Sequence, residues 1–104
     1  MSVNEYGTVT EAIEGLQRRG FTANFEFMDN AVQDVNRRKA YRAEELTIVE
    51  HHRLEGATNP DDMAIVYAIE AADGTRGIVV DAFGPYADPG LGAFLERVKI
   101  REAA

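Results

Sequence analysis

Cysteine is absent from the 104 residues of this chain. That excludes a disulfide framework, a thiolate metal site and a cysteine nucleophile, and removes any need for an oxidising compartment. A cytoplasmic protein is expected. No apolar run approaches the roughly 20 residues of a membrane span. The opening stretch, MSVNEYGTVTEAIEGL, lacks the basic start and apolar core of a signal peptide. An excess of positive charge is missing too. A formal net charge of −7 repels polyanions, so neither nucleic acid nor membrane is an expected partner. Lysine is scarce, with two against nine arginines. That pattern fits either high internal salt or a GC-rich genome and is background to the question of function.

What is present fits one packed domain over residues 1–104, since this length buries one modest core and leaves little for a second. The most legible stretch runs from Asn59 to Asp88. Two runs rich in β-branched residues, Met63 to Ala72 and Arg76 to Phe83, flank Asp73-Gly74, a pair suited to a tight primed turn. A two-residue turn there sets Ile69 opposite Ile78, Tyr67 opposite Val80 and Val66 opposite Asp81. Ile65, Tyr67, Ile69, Ile78 and Val80 then share one apolar face, and both faces are covered enough to place this hairpin centrally.

Upstream, Thr8 followed three residues later by Glu11 is a capping-box pattern that starts a helix from about Val9 to Arg19, ended by Gly20. Val9, Ala12, Ile13 and Leu16 form its apolar stripe. In FTANFEFMD the apolar residues Phe21, Ala23, Phe25 and Phe27 alternate with polar ones, a half-buried strand. The aromatic stripe reads as core before it reads as a ligand platform. Asp29-Asn30 is a turn signal, Ala31 to Val35 a short returning strand, and AEEL one helical turn. The basic run Arg37, Arg38, Lys39 and Arg42 has no Gly-rich loop beside it to cradle a phosphate, and reads as a solvated loop balancing an acidic molecule. A strand from Thr47 to Glu55 places Leu46, Ile48, His52 and Leu54 on one face. Leu91 to about Ile100 closes the chain as a helix. Together these elements predict an α+β domain: an antiparallel sheet of three to five strands, with the N-terminal and C-terminal helices packed on one face.

His51-His52 invites a metal or catalytic reading, but adjacent strand residues point to opposite faces and cannot easily share one ion. The carboxylates of Glu55, Asp61, Asp62, Asp81 and Asp88 are the better ligand candidates, with Arg53 and Tyr86 beside them. Such carboxylates suit Mg²⁺ or Ca²⁺ if they converge, and otherwise serve turn hydrogen bonds. Asp81, late in an apolar strand, needs a partner. Arg53 is the first choice, with the Tyr67 and Tyr86 hydroxyls next.

Arg53-Leu54-Glu55-Gly56, Asn59-Pro60-Asp61-Asp62, Tyr67-Ala68-Ile69, Asp73-Gly74 with Gly77, and Gly84-Pro85-Tyr86-Ala87 carry a resemblance. The chain is similar to a family of short, uncharacterised bacterial proteins often labelled phosphoribosylpyrophosphate synthetase. Leu54 stands where that family usually has phenylalanine, and the basic stretch at 37–42 departs from its pattern. The resemblance implies a fold and no chemistry. Synthesis of phosphoribosylpyrophosphate needs a Gly/Thr loop whose amides hold the ribose phosphate. Here Asp61-Asp62 runs on into Met63-Ala64, so the label does not describe this molecule. Two functions are left: a non-catalytic binding, interaction or regulatory module that needs no cofactor and meets a protein partner or a second copy, or a small carboxylate-dependent enzyme or ligand-binding protein using the 55–62 loop and Asp81.

Overall fold

The computed structural model describes residues 8–54, 64–82 and 89–101. Its first element, α1 (Val9–Arg18), opens where Thr8 accepts a hydrogen bond from the Glu11 amide at 3.1 Å. At its end the Gly20 amide donates to the Gln17 carbonyl and the Phe21 amide to the Leu16 carbonyl. Gly20 has φ +104°, the left-handed conformation that this paired C-terminal closure requires. The Leu16 and Phe21 side chains pack into one cluster beyond it.

Seven strands follow, β1 (Ala23–Met28), β2 (Ala31–Asp34), β3 (Lys39–Tyr41), β4 (Leu46–Leu54), β5 (Ala64–Ala71), β6 (Arg76–Ala82) and β7 (Lys99–Ile100). A 3-10 turn, Ala43–Glu45, precedes β4, and α2 (Pro89–Glu96) lies between β6 and β7. The described strands form one sheet in the order β3-β2-β1-β6-β5-β4-β7, with the β5–β6 hairpin in the middle. β1 runs parallel to β6 and β7 parallel to β4, the other neighbours being antiparallel. This corrects the expectation of a three-to-five-stranded antiparallel sheet. The chain from β6 through α2 to β7 is a crossover that adds a parallel edge strand. β7 occupies the end of the segment expected to be helical up to Ile100.

The helices lie on opposite faces, not on one. Ala12, Leu16 and Phe21 cover Val66, Ala68 and Ile78, while Leu91, Phe94, Leu95 and Val98 cover Ile48, Ile69, Ala71 and Val79. Both faces carry apolar residues for a helix to cover because of the turn between β5 and β6. The Gly74 amide donates to the Ala71 carbonyl and the Ala71 amide to the Thr75 carbonyl, so the loop has three residues, Ala72, Asp73 and Gly74. Gly74 alone among them has positive φ, +93°. This is a type I turn closed by a left-handed glycine, a common three-residue hairpin loop. Ile69 therefore faces Gly77, and Ala68 faces Ile78. One residue of slip moves Ile78 and Val80 to the other face of the sheet. Val80 ends up 42% exposed. The two-residue primed turn occurs instead between β1 and β2, where Met28 faces Ala31 and both Asp29 and Asn30 have positive φ.

A second slip lies in β4. Its register with β5 shifts between Ile48 and Glu50, leaving Val49 as a bulge residue packed towards α1. Beyond the bulge the alternation inverts, so His51 and Arg53, rather than His52, continue the face of Leu46 and Ile48.

Candidate binding site

Of the residues singled out from sequence as ligand candidates, Arg53 and Asp81 are described, and Glu55, Asp61, Asp62, Tyr86 and Asp88 lie outside the described residues. Arg53 faces Ile65, and Ile65 faces Asp81. Both residues thus belong to the same face of the sheet, on strands whose backbones lie two spacings apart, about 9.6 Å, with the strand of Ile65 between them. Asp81 is across from Ile65 rather than Val66, and Tyr67 is its diagonal neighbour on the same face rather than pointing away. Among the described residues no three His, Cys, Asp or Glu side chains are grouped to hold a metal ion.

The two histidines do point to opposite faces. His51 stacks on Tyr67, with ring centroids 6.1 Å apart. His52 is buried, its Nε2 2.6 Å from Glu50 Oε2. Arg19, at the C-terminal end of α1, donates to both oxygens of the same carboxylate at 2.6 and 2.9 Å. The Arg19 guanidinium holds the Glu50 carboxyl below its usual range, against the opposing effect of burial, and His52 adds to the lowering. The trio ties the last turn of α1 to β4.

At the hairpin end of the sheet, Asp73 accepts hydrogen bonds from Lys39 Nζ and the Tyr41 hydroxyl, each at 2.8 Å, and from the Thr75 amide at 3.0 Å. Lys39, then the Thr75 amide and the Tyr41 hydroxyl, hold the Asp73 carboxyl far below the usual carboxylate range. Burial pushes the Tyr41 phenol up. Arg37 Nη1 donates to Thr75 Oγ1 at 3.1 Å. The basic run is therefore bound to the β5–β6 turn through two of its members. Nothing within the run itself announces these partners, which lie more than thirty positions away.

An opening arises where the sheet parts. β1 and β6 pair at two positions, Ala23 with Gly77 and Asn24 with Ile78. Beyond these they bound a cavity of about 450 Å³. Ile13 and Gln17 of α1 contribute on one side of the sheet and Leu91 of α2 on the other, with Phe25, Glu26 and Phe27 along β1 and Val79, Val80 and Asp81 along β6. The alternation in FTANFEFMD correctly marked Phe25 as core, and Phe27 packs on Phe94 at 5.5 Å. What it could not mark is that both rings also back one wall of this notch.

No family model, curated protein or solved structure matches the chain. Among the described residues no helix is long and apolar enough to cross a membrane.

Proposed function

We propose that the protein is a non-catalytic binding module whose ligand seat is the notch between β1 and β6. The observation that carries this reading is the early end of the β1–β6 pairing, which opens about 450 Å³ between the two helices. That volume falls in the range of small-ligand sites, roughly 300–1,000 Å³. Apolar walls from Ile13, Phe25 and Leu91, with Thr22, Asn24 and Glu26 beside them, suit a ligand with an apolar body and a few hydrogen-bonding groups. An apolar side chain of a protein partner or of a second copy presents the same chemistry. Glu26 and Asp81 are the titratable residues among those lining the notch. The cysteine-free sequence supports a cytoplasmic setting, and the net charge of −7 supports a partner other than nucleic acid. The resemblance to the short bacterial family is compatible with this reading, since the phosphate-cradling loop of the label is missing.

The test is a fragment screen followed by amide chemical shifts. Aromatic fragments should perturb amides over 22–27 and 78–81. Val80→Trp, at an exposed position bordering the cavity, should abolish these shifts while leaving the melting temperature within a few degrees, as expected of a surface change. Perturbations confined to other regions, or binding that survives the tryptophan, would refute the assignment.

A further inference from the structure

A second, open cavity, about 340 Å³, lies at the opposite end of the β1–β6 contact, bordered by the corner between α1 and β1, the β2–β3 turn and the β5–β6 turn. It adjoins the notch through Thr22 and Ala23 but has a different character. Two guanidinium groups border it. Arg37 is held by Thr75 Oγ1 at 3.1 Å, with its Nε 3.9 Å from Asp34 Oδ2. Arg76 lies over the Phe21 ring at 5.7 Å, with its Nε 3.7 Å from Glu70. Gly20 and Gly74 also line it. Thr22, Thr75 and Asn36 supply further hydrogen-bonding groups.

We infer that this pocket binds a phosphate group. Two planar guanidinium forks already steadied by an aromatic face and a hydroxyl lose little freedom on taking up an oxyanion. Together with the threonine hydroxyls they offer more donors than the two coplanar oxygens of a carboxylate can accept, and a tetrahedral phosphate uses them better. Asp34, 2% exposed, does not cancel the site. Its Oδ1 accepts the Asn36 and Arg37 amides at 3.1 and 3.3 Å, so its charge is spent on shaping the turn that presents Arg37. Arg38 and Lys39 follow Arg37 directly in the chain. Set against Asp34, Glu70 and Asp73, with which Arg37, Arg76 and Lys39 pair, these cations leave a small local excess of positive charge in a molecule of net charge −7, which draws a small anion here rather than to the surface at large.

The experiment follows wild-type amide shifts and melting temperature against inorganic phosphate, glycerol 2-phosphate, succinate and chloride at one ionic strength. Both phosphates should raise the melting temperature above the chloride control and shift the amides of Thr22, Asn36, Gly74, Thr75 and Arg76. Tighter binding of the ester points to an esterified ligand and tighter binding of the free ion to inorganic phosphate, and either supports the site. Arg37→Gln and Arg76→Gln should each weaken binding by roughly tenfold, the effect of losing one charged hydrogen-bonding partner. Lys99→Gln, on the far edge strand, should not. Succinate or chloride matching phosphate, shifts located elsewhere in the wild type, or unweakened binding in folded arginine variants would overturn the assignment. The wild-type shift map decides even if a variant fails to fold.

Discussion

The Phe25 ring occupies the space a side chain at Gly77 would need. A Cβ built at 77 would stand 2.8 Å from two carbons of that ring and 2.6 Å from the Ala23 carbonyl oxygen. Glycine at this position is what lets β1 approach β6 closely enough to pair in parallel, and the notch begins just past this contact. Gly77→Ala should therefore cost about 1–3 kcal/mol, the usual penalty of overpacking. Pairing it with Phe25→Leu should recover only part of the loss, because the carbonyl belongs to the backbone and cannot rotate away. Urea denaturation of the two variants checks this, and a Gly77→Ala loss below about 0.5 kcal/mol would show that the strands part easily.

The Asp73 cluster makes stability depend on acid. Its carboxyl is held below the ordinary 3.8 by Lys39, the Thr75 amide and Tyr41, so the folded state binds this proton less readily than the unfolded chain. The contribution is complete above the ordinary carboxylate range and is lost progressively as pH falls beneath it. Asp73→Asn should lower the melting temperature at pH 7, and the gap to wild type should narrow between pH 4 and pH 2. A gap that stays constant across that range would assign the loss to shape rather than charge. On the alkaline side, Lys39 and Tyr41 are both raised, so their contributions persist below about pH 10 and fade as the pH climbs past their folded values.

Arg19 and Glu50 form a bidentate pair with side chains 47% and 23% exposed. Partial solvent access keeps the expected coupling at about 0.5–1 kcal/mol, measurable in a cycle of Arg19→Met, Glu50→Gln and the double variant. Glu50→Gln should cost more than Arg19→Met, because it also alters the acceptor facing buried His52. Equal losses would mean that His52 finds its hydrogen bond elsewhere.

Legibility from sequence followed the range of the interaction. Thr8, Glu11 and Gly20 bounded α1 because caps act within one turn of chain. Alternation around Phe25 and along β5 gave strand identity, and the choice of Ile65, Tyr67 and Ile69 as one face held. Register did not, since Asp73-Gly74 serves equally in a two-residue primed loop and in a three-residue loop ending on a left-handed glycine. The Val49 bulge carries no compositional mark. β7, two residues long, is too short for any period to show. The parallel pairing of Ala23 with Gly77 joins segments more than fifty positions apart. Both cavities are consequences of that pairing. Arg37 and Arg76, or Glu26 and Asp81, could be named from the sequence but not brought together by it.

The loop that set the register offers the sharpest check on the fold. Gly74 has φ +93°, and a Cβ built there meets nothing within 4 Å, so any penalty at this position is conformational and not steric crowding by neighbours. Gly74→Ala should cost about 1–2 kcal/mol and Gly74→Asn less, because asparagine enters the left-handed region more readily. Ala72 sits at the second position of the same type I turn, where proline's fixed φ would ordinarily be welcome. Its amide, however, donates to the Glu45 carbonyl at 2.8 Å, tying the turn to the 3-10 segment before β4. Ala72→Pro should therefore destabilise despite the favourable turn geometry. Thermal melts of the three variants test the loop directly. A stabilising Ala72→Pro together with a neutral Gly74→Ala would mean that Ala72 and Gly74 do not hold these roles, and would return Ile78 to the face of Ile69.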